Sequence, residues 1–292
     1  MKKQNKWFDY VNVIFITFVS IICTLPLLLV LIVSFTDETM IKVNGYSFFP
    51  GKLSLDAYKL LFSGNSPLLQ SYMISITVTV VGTALAVLIT AMAGYTLAAK
   101  HVKYRNQLAM FFFVTMVFNT GLVPWYMMNT ALGLKNTIWA LIIPSLLFSP
   151  FNLFLVRNYM RQIPDGLVEA AKIDGAGDIF IAFRIFLPLS MPVLATITLF
   201  YGIGYWNNWF NAIMLVDNPS LYPLQYLLFK LNSEISMIQQ MQSTVSGMSA
   251  TQLPNESVKM ATAIMTIGPI ILFYPFLQRY FIRGLLIGSI KE

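Results

Sequence analysis

Long apolar runs separated by shorter polar segments dominate the chain. A helix needs about 20 mostly apolar residues to cross the hydrocarbon core of a bilayer, and six runs reach that length. They cover residues 11–35, 68–99, 108–128, 137–156, 189–215 and 260–277. Their interiors contain no Asp, Glu, Lys, Arg or His. The pattern therefore predicts an all-α membrane protein with six transmembrane helices.

The second run is the richest in small residues, which let helix backbones approach closely in a membrane. These residues are Gly82, Ala84, Ala86, Ala91, Ala93, Gly94, Ala98 and Ala99. We expect this helix to lie inside the helix bundle.

Composition places the chain among membrane proteins. Its 292 residues are 57% hydrophobic and 11% charged, whereas ordinary soluble domains are about a quarter charged. We predict one membrane domain spanning residues 1–292. Cys23 is the sole cysteine and allows no internal disulfide. Lys2, Lys3 and Lys6 precede the first run as in a signal peptide, but the run exceeds the roughly 7–15 residues of a signal core, so we interpret it as a retained span.

Lysine and arginine in the loops predict the orientation. The net charge of +7 is compatible with a nucleic-acid partner, but in so apolar a chain loop charge sets topology instead. Thirteen Lys and Arg residues lie on the side that holds both termini, the 100–106 turn and the 157–188 loop, and six lie on the other. We therefore predict cytoplasmic termini, a cytoplasmic 157–188 loop and no nucleic-acid partner.

Two long segments, 36–67 and 216–259, fall on the external side. Loops of more than about 15 residues are usually functional or disordered. We interpret these segments as a docking surface for an external partner; for the second, a flexible connector is the alternative.

The cytoplasmic loop contains a short predicted helix. Asp165 can cap its start with a side-chain oxygen, and Gly175 can stop it. A helix of about two and a half turns is too short to be stable alone in water, so something must hold it. One small, shallow face is formed at helical spacing by Leu167, Ala170, Ala171 and Asp174. The spacing does not distinguish between two alternatives, in which this helix binds in a groove of a partner protein or lies on the membrane surface.

The residues of this loop resemble a family motif. The motif begins with Glu169-Ala170-Ala171 and continues with Asp174-Gly175-Ala176 and then Phe183, Ile185, Leu187 and Pro188. It is similar to the E-A-A loop of binding-protein-dependent ABC importer permeases of type I, in the carbohydrate-uptake group. Leu132–Thr137 with Trp139 resembles the family's outer turn before the fourth span. Three further segments resemble a subgroup that handles oligosaccharides such as aldouronate or alginate fragments. They are Tyr222-Pro223-Leu224-Gln225, Tyr274–Phe281 and the tail Gly284–Lys291. Glu292 stands where that subgroup usually has glycine.

The resemblance implies a coupling helix that seats in a cleft on a cytoplasmic ATPase subunit. The implied ATPase-coupling residues are Glu169, Ala170, Ala171, Asp174, Gly175, Ala176, Gly284 and Gly288. It also implies a second, sister permease, two ATPase subunits that carry ATP and Mg, an external sugar-binding protein, and a bacterial plasma (inner) membrane location. This chain would bind no cofactor and would not be an enzyme. A Walker A motif is absent, because Leu53 follows Gly51-Lys52 and Tyr46 stands where glycine is needed.

The fifth run is the predicted sugar path. Asparagine amides and tyrosine hydroxyls suit neutral sugar hydroxyls, and aromatic rings suit a sugar's C–H face. The candidates are Tyr201, Tyr205, Trp206, Asn207, Asn208, Trp209 and Asn211, with Asn119 and Tyr126 on the third run. Tyr201, Gly204, Tyr205, Asn208 and Asn211 form one stripe. Trp206 and Trp209 fit an aromatic belt at the membrane surface equally well.

Two other function classes are disfavoured. An ion-coupled secondary sugar transporter usually places ionisable residues within the membrane, and these runs have none; His101, the only histidine, falls in a predicted cytoplasmic turn, where we expect it to be solvated. A membrane enzyme or scaffold is the third class, but the sequence has no metal-ligand spacing and no G-x-S-x-G motif.

Overall fold

The computed structural model describes residues 6–63, 67–118, 120–144, 146–244 and 256–271. These residues are helices and connecting loops. Their β-structure is limited to one isolated bridge that pairs Thr36 with Leu53. The all-α prediction is therefore confirmed for the described part of the chain.

The helices follow the predicted order, with several breaks. The bounds are α1 Lys6–Ser34, α2 Glu38–Asn44, α3 Asp56–Leu61, α4 Leu68–Ala98, α5 Arg105–Val117, α6 Leu122–Ala131, α7 Trp139–Ile142, α8 Pro150–Met160, α9 Asp165–Ile173, α10 Asp178–Ile181, α11 Leu187–Leu189, α12 Met191–Trp206, α13 Phe210–Leu215 and α14 Leu224–Thr244. A last helix, α15, covers 256–271.

Unbroken helices able to span a membrane are fewer than the apolar runs. By length and composition, Tyr10–Ser34 and Leu68–Ala98 qualify among the described residues. Two helix pairs, α5 with α6 and Asp178–Leu189 with α12, are each bent at a short break. The bend in the second pair is 80°. If each pair counts as one span, the described residues contain up to four spans. The part of the sixth run beyond residue 271 lies outside the described residues.

The fourth run, 137–156, is interrupted. α7 ends at Ile142 and α8 begins only at Pro150. Proline lacks the N–H that continues a helix, so Pro144 disfavours continuation of α7, while Pro150 suits the first turn of α8. The Ser149 side chain accepts the Asn152 N–H and caps α8.

The chain forms two compact units, Met1–Leu68 with Leu228–Pro269, and Leu69–Leu227 with Ile270–Glu292. In the first unit, Tyr58 holds the end of α1. Its ring stacks on Phe35 with centroids 4.9 Å apart, and its hydroxyl lies 2.8 Å from Ser34 Oγ. The Glu38 carboxylate accepts from the Ser257 N–H at 3.0 Å and from its hydroxyl at 2.9 Å, which ties α2 to the start of α15.

In the second unit, α4 packs through its small residues, as the sequence predicts. A Cβ added at Gly82 would lie 2.6 Å from the Tyr205 ring of α12. One added at Gly94 would lie 2.6 Å from Val156 of α8. Ala86 is fully buried in the same core. Glycine is needed at these two positions because the neighbouring helix occupies the space of a side chain.

Candidate functional site

The predicted coupling helix is present as α9, Asp165–Ile173. Its end is closed as predicted by Gly175, which has φ +80°, a conformation that costs little only for glycine. The Gly175 N–H donates to the Lys172 carbonyl at 3.1 Å, and the Ala176 N–H donates to the Ala171 carbonyl at 2.9 Å. These two bonds form a Schellman motif, so the residues around Gly175 fix the end of the helix.

The predicted role of Asp165 as a side-chain cap is wrong. Pro164 occupies the cap position in an extended conformation, with φ −59° and ψ 133°, and provides no side-chain hydrogen bond. Asp165 is instead the first helical residue, and its carboxylate pairs with the Lys100 ammonium. A negative charge in the first turn still interacts favourably with the helix dipole.

One face of α9 is open. No residue of the helix is buried. The predicted face lines a depression of about 530 Å³, whose walls are Leu167, Ala170, Ala171, Asp174, Gly175, Ala176, Phe180 and Ile185. Close by, Ile173 is 86% exposed. The coupling residues named from the sequence, apart from Glu169 and the tail glycines, therefore meet at one surface with an accessible backbone.

On the side opposite the open face, the turn after α4 contacts Asp165 at the start of α9 and Asp178 at the start of α10. His101 Nε2 lies 3.3 Å from an Asp178 oxygen, and Lys172 Nζ lies 4.0 Å from the other. His101 lies in this turn and is exposed, as expected from the sequence. Glu169 and Lys172 line a second depression of about 480 Å³ on this side. Exposed ion pairs stabilise by about 1 kcal/mol or less, so they orient α9 more than they stabilise it.

The segment after α9 leads directly into the protein interior. A π-helical turn, Ala182–Phe186, follows α10, and such turns are frequent at functional sites. The Phe186 ring contacts Tyr95 of α4 edge-on, with centroids 4.9 Å apart. Fully buried Ser190 then marks the 80° bend into α12. A displacement of α9 is thereby linked to α4 and α12 through packed side chains.

Part of the predicted sugar path forms hydrogen bonds to the interrupted fourth run. Tyr205 Oη donates to the Ile142 carbonyl at 2.9 Å. Asn211 Nδ2 donates to the Pro144 carbonyl at 2.9 Å. Irregular backbone at membrane depth must have its polar groups satisfied inside the protein, and these two side chains satisfy carbonyls at the end of α7 and just after it.

Tyr201 completes the same set. Its hydroxyl accepts from the Ser149 N–H at 3.1 Å and shares a 2.7 Å hydrogen bond with Thr90 Oγ1 of α4. Tyr201 and Tyr205 are each 2% exposed, and Asn211 is 3% exposed. Tyr201, Tyr205 and Asn211 therefore bond to other parts of the same chain, whereas Asn208 of the same stripe has a buried Nδ2 with no hydrogen-bond partner in the described part of the chain. A role of this stripe in sugar binding stays a prediction. Trp206 is buried on the same helix.

The remaining candidates are more accessible. Helix α12 ends at Trp206, and residues 207–209 lead into α13. Asn207 is exposed, and its Oδ1 accepts from Gln225 Nε2 at 2.9 Å. Trp209 is 40% exposed. Asn208 Oδ1 accepts the Asn211 N–H at 3.2 Å.

Gln225 is not among the residues predicted from the sequence, and the structure brings it beside Asn207. The sequence signal that points to it is its place in Tyr222-Pro223-Leu224-Gln225, since nothing in the spacing predicts its contact with Asn207. Tyr126 of α6 is half-buried against the core. Asn119, Gly284 and Gly288 lie outside the described residues.

The outer turn resembling the family pattern has a clear structural role. Asn136 adopts φ +60°, and its Oδ1 accepts from the Asp217 N–H at 2.6 Å and the Asn218 N–H at 3.2 Å. Lys135 Nζ lies 3.1 Å from an Asp217 oxygen. The ammonium of Lys135 holds the pKa of the Asp217 carboxyl below its usual value. The turn therefore docks onto the segment after α13.

Comparison with known proteins identifies the family. Residues 91–287 match the family described as "Binding-protein-dependent transport system inner membrane component". The chain belongs to this family. The matched range contains α9, its open face and the depression beside it. The chain is therefore an inner-membrane transport component, and the resemblance drawn from the E-A-A residues is confirmed.

Relatives of this inner-membrane component match over nearly the whole chain. Protein LplC of Bacillus subtilis strain 168 is 39% identical, over 99% of this chain and 96% of its own length. The polygalacturonan/rhamnogalacturonan transport system permease protein YtcP of the same bacterium is 35% identical, over 99% of each chain. A bacterial ABC transporter involved in the import of the acidic polysaccharide alginate has a chain of similar fold, with a TM-score of 0.82 and 27% identity over 96% of this chain and 99% of that one.

Proposed function

We propose that this permease lets a separate ATPase subunit move an oligosaccharide through the membrane, and that α9 is the coupling helix. The observation that carries the proposal is the open face of α9, where Leu167, Ala170, Ala171 and Asp174 line a depression outside the core. A short helix with no buried residue needs a partner to hold it, and a face of small residues admits one close to its backbone.

The proposed assembly has two permeases, two ATPase subunits that bind ATP and Mg, and an external sugar-binding protein. Family membership supports a binding-protein-dependent system. The sister permease, the ATPase copies and the contribution of Gly284 and Gly288 to the ATPase interface rest on the resemblance. In this scheme ATP draws the ATPase subunits together, α9 follows, and the pore changes from inward- to outward-facing.

The proposed topology has six spans with both termini and the 157–188 loop in the cytoplasm. Its support is the excess of lysine and arginine on that side. Segments 36–67 and 216–259 would then meet the binding protein outside. Bent or broken spans are compatible with this count, because neighbouring helices and polar side chains satisfy the backbone at a break.

The proposed cargo is an oligosaccharide. Relatives named for polygalacturonan/rhamnogalacturonan transport and for alginate import support a polymer fragment rich in acidic sugars. Within this chain, Asn207, Asn208, Trp209 and Tyr126 are the proposed sugar contacts, with Gln225 beside Asn207 and with Asn119 on the third run.

Coupling is tested by changing the end of α9 and a charge on its other side. Gly175→Pro cannot keep φ +80°, because proline fixes φ near −65°, and Glu169→Lys reverses a charge in the second depression. We expect both variants to reach the membrane, to lose most sugar uptake, and to recover less ATPase subunit on co-purification. Gly177→Ala is the control, since no atom lies within 4 Å of an added Cβ and φ is not positive there. Undiminished uptake with normal ATPase recovery in both variants would refute the coupling assignment.

A further inference from the structure

Three arginines gather where the start of α5 meets the end of α8. Arg105 is the first residue of α5, Arg157 lies in the last turn of α8, and Arg161 follows that helix. Arg105 and Arg161 line the depression of about 480 Å³. Burial, and then the like charges of Arg161 and Arg105, lower the pKa of the Arg157 guanidinium. The fold thus concentrates positive charge at one point.

No carboxylate neutralises this cluster within the described residues. Nearby acidic groups are used elsewhere, because Asp165 pairs with Lys100 and Asp178 lies beside Lys172 and His101. Glu169 lines the same depression, but it forms no ion pair with these arginines in the described part of the chain. Like charges held together without a counter-charge destabilise a fold, so the arrangement favours an anionic ligand.

Among these arginines, Arg157 shows most directly that a hydrogen-bond acceptor is missing. Its Nε is buried and has no hydrogen-bond partner in the described part of the chain. The approach of α8 to Gly94 of α4 brings the Arg157 backbone N within 3.5 Å of a Cβ built at that glycine, so the base of this residue is fixed by close packing. A buried donor without a partner destabilises the fold.

The N-terminus of α5 adds further donors. Tyr104 occupies the cap position with φ 64° and makes no side-chain cap hydrogen bond. Free N–H groups at the start of a helix, together with its dipole, favour phosphate. The donors of the helix start and the forks of the arginines all suit oxygen atoms of a tetrahedral anion.

Apolar side chains lie next to the cluster on the same helices. The Arg157 guanidinium lies over the Phe154 ring, 5.7 Å from its centroid. Leu108, one turn after Arg105, is 41% exposed, and Phe111 and Phe151 are more than half exposed. An anionic head above an apolar surface matches a phospholipid. A free phosphate would use only the charged part.

We propose that Arg105, Arg157 and Arg161 bind the phosphate of an anionic phospholipid, whose acyl chains lie along the exposed apolar side chains of α5 and α8. The site is separate from the open face of α9 and does not depend on which sugar is carried. It would fix the end of α8, and with it the start of the 157–188 loop, against the membrane surface.

The test measures lipid bound to the purified transporter complex by native mass spectrometry. Phosphatidylglycerol and phosphatidylcholine are added separately, and millimolar inorganic phosphate is added as a competitor. We expect phosphatidylglycerol to be retained over phosphatidylcholine, with inorganic phosphate ineffective. Since one arginine near a lipid surface contributes about 1 kcal/mol, Arg157→Gln and Arg161→Gln should each lower phosphatidylglycerol retention about fivefold. Arg161 is exposed, so its variant remains informative if Arg157→Gln fails to fold.

Arg184→Gln is the matched control, because it removes one exposed arginine from the same loop outside the cluster. We expect it to retain phosphatidylglycerol as the parent does. Equal losses in the Arg161 and Arg184 variants would indicate general charge attraction and overturn the site. Unchanged retention in the Arg157 and Arg161 variants, or displacement of the lipid by inorganic phosphate, would overturn it as well.

Discussion

Polar side chains in a membrane protein can serve the protein's own backbone. Tyr201, Tyr205 and Asn211 have the chemistry of a sugar site, yet they bind an interrupted helix. The residue types predict that these side chains need partners in an apolar environment. Sequence spacing does not reveal whether the partner is a cargo or a broken backbone more than 50 residues away.

Other residue assignments succeed because their cause is local. Gly175 is predictable as a helix stop, since only glycine readily adopts the required positive φ. Asp165 and His101 depend on tertiary neighbours, Lys100 and Asp178. Local pattern therefore gives the end of α9, whereas its attachment to α4 needs the fold.

The contact of Gly82 with Tyr205 gives a prediction at this scale. A Cβ at residue 82 would lie 2.6–2.8 Å from three atoms of the Tyr205 ring, which cannot withdraw while its hydroxyl is bound to Ile142. Overpacking costs about 1–3 kcal/mol, so Gly82→Ala should lower the melting temperature of the purified protein. Gly202→Ala is the control, since its nearest atom would be 3.8 Å away, and it should melt near the parent. Equal melting of the two variants would show that the contact is not tight.

At the scale of elements, hydrophobic periods predict where helices occur better than where they are continuous. The second run predicts α4 almost residue for residue. The fourth run has the same length and apolar character as a span, but Pro144 and Pro150 divide it. Prolines are tolerated in membrane helices when neighbours satisfy the backbone, so a sequence that contains them does not by itself specify a break.

The start of α2 gives a prediction about pH. The Thr39 hydroxyl, the Lys52 ammonium and the Thr39 N–H all bind Asp37 and lower the pKa of its carboxyl to about 2, from 3.8. A lowered folded-state pKa contributes stability that is present above about pH 4 and is lost as the pH falls toward 2. The parent should therefore melt above Asp37→Asn at pH 6, and the difference should shrink between pH 4 and pH 2.

Asp174→Asn is a suitable control for this experiment. Its carboxylate makes no ion pair in the described part of the chain. The difference in melting temperature between this variant and the parent, measured over the same pH range, is the reference for the Asp37→Asn difference. A gap between the parent and Asp37→Asn that stays constant down to pH 2 would contradict the assigned role of Asp37.

At the scale of the whole molecule, the class of protein follows from the sequence and the cargo does not. Charge-free apolar runs identify a membrane protein, and the E-A-A residues identify the family. The family match then agrees with that reading. The cargo depends on a few side chains whose exposure is set by helix breaks, so neither composition nor periodicity selects it.

The proposed topology can be checked by cysteine labelling in intact cells. Cys23→Ser removes the only native cysteine, after which Lys42→Cys and Arg184→Cys introduce single exposed thiols on predicted opposite sides. A membrane-impermeant maleimide should label residue 42 directly and residue 184 only after permeabilisation. Labelling of residue 184 in sealed cells, or protection of residue 42, would reverse the assigned orientation.

The interrupted fourth run also has a consequence for biosynthesis. Its carbonyls and N–H at residues 142, 144 and 149 find partners 63, 67 and 52 residues later in the chain. When this segment leaves the ribosome, those partners have not yet been made. The backbone groups of this segment must therefore contact water, lipid headgroups or the insertion machinery until α12 and α13 have been synthesised. The backbone groups at residues 142, 144 and 149 can therefore reach these partners only after α12 and α13 have been made.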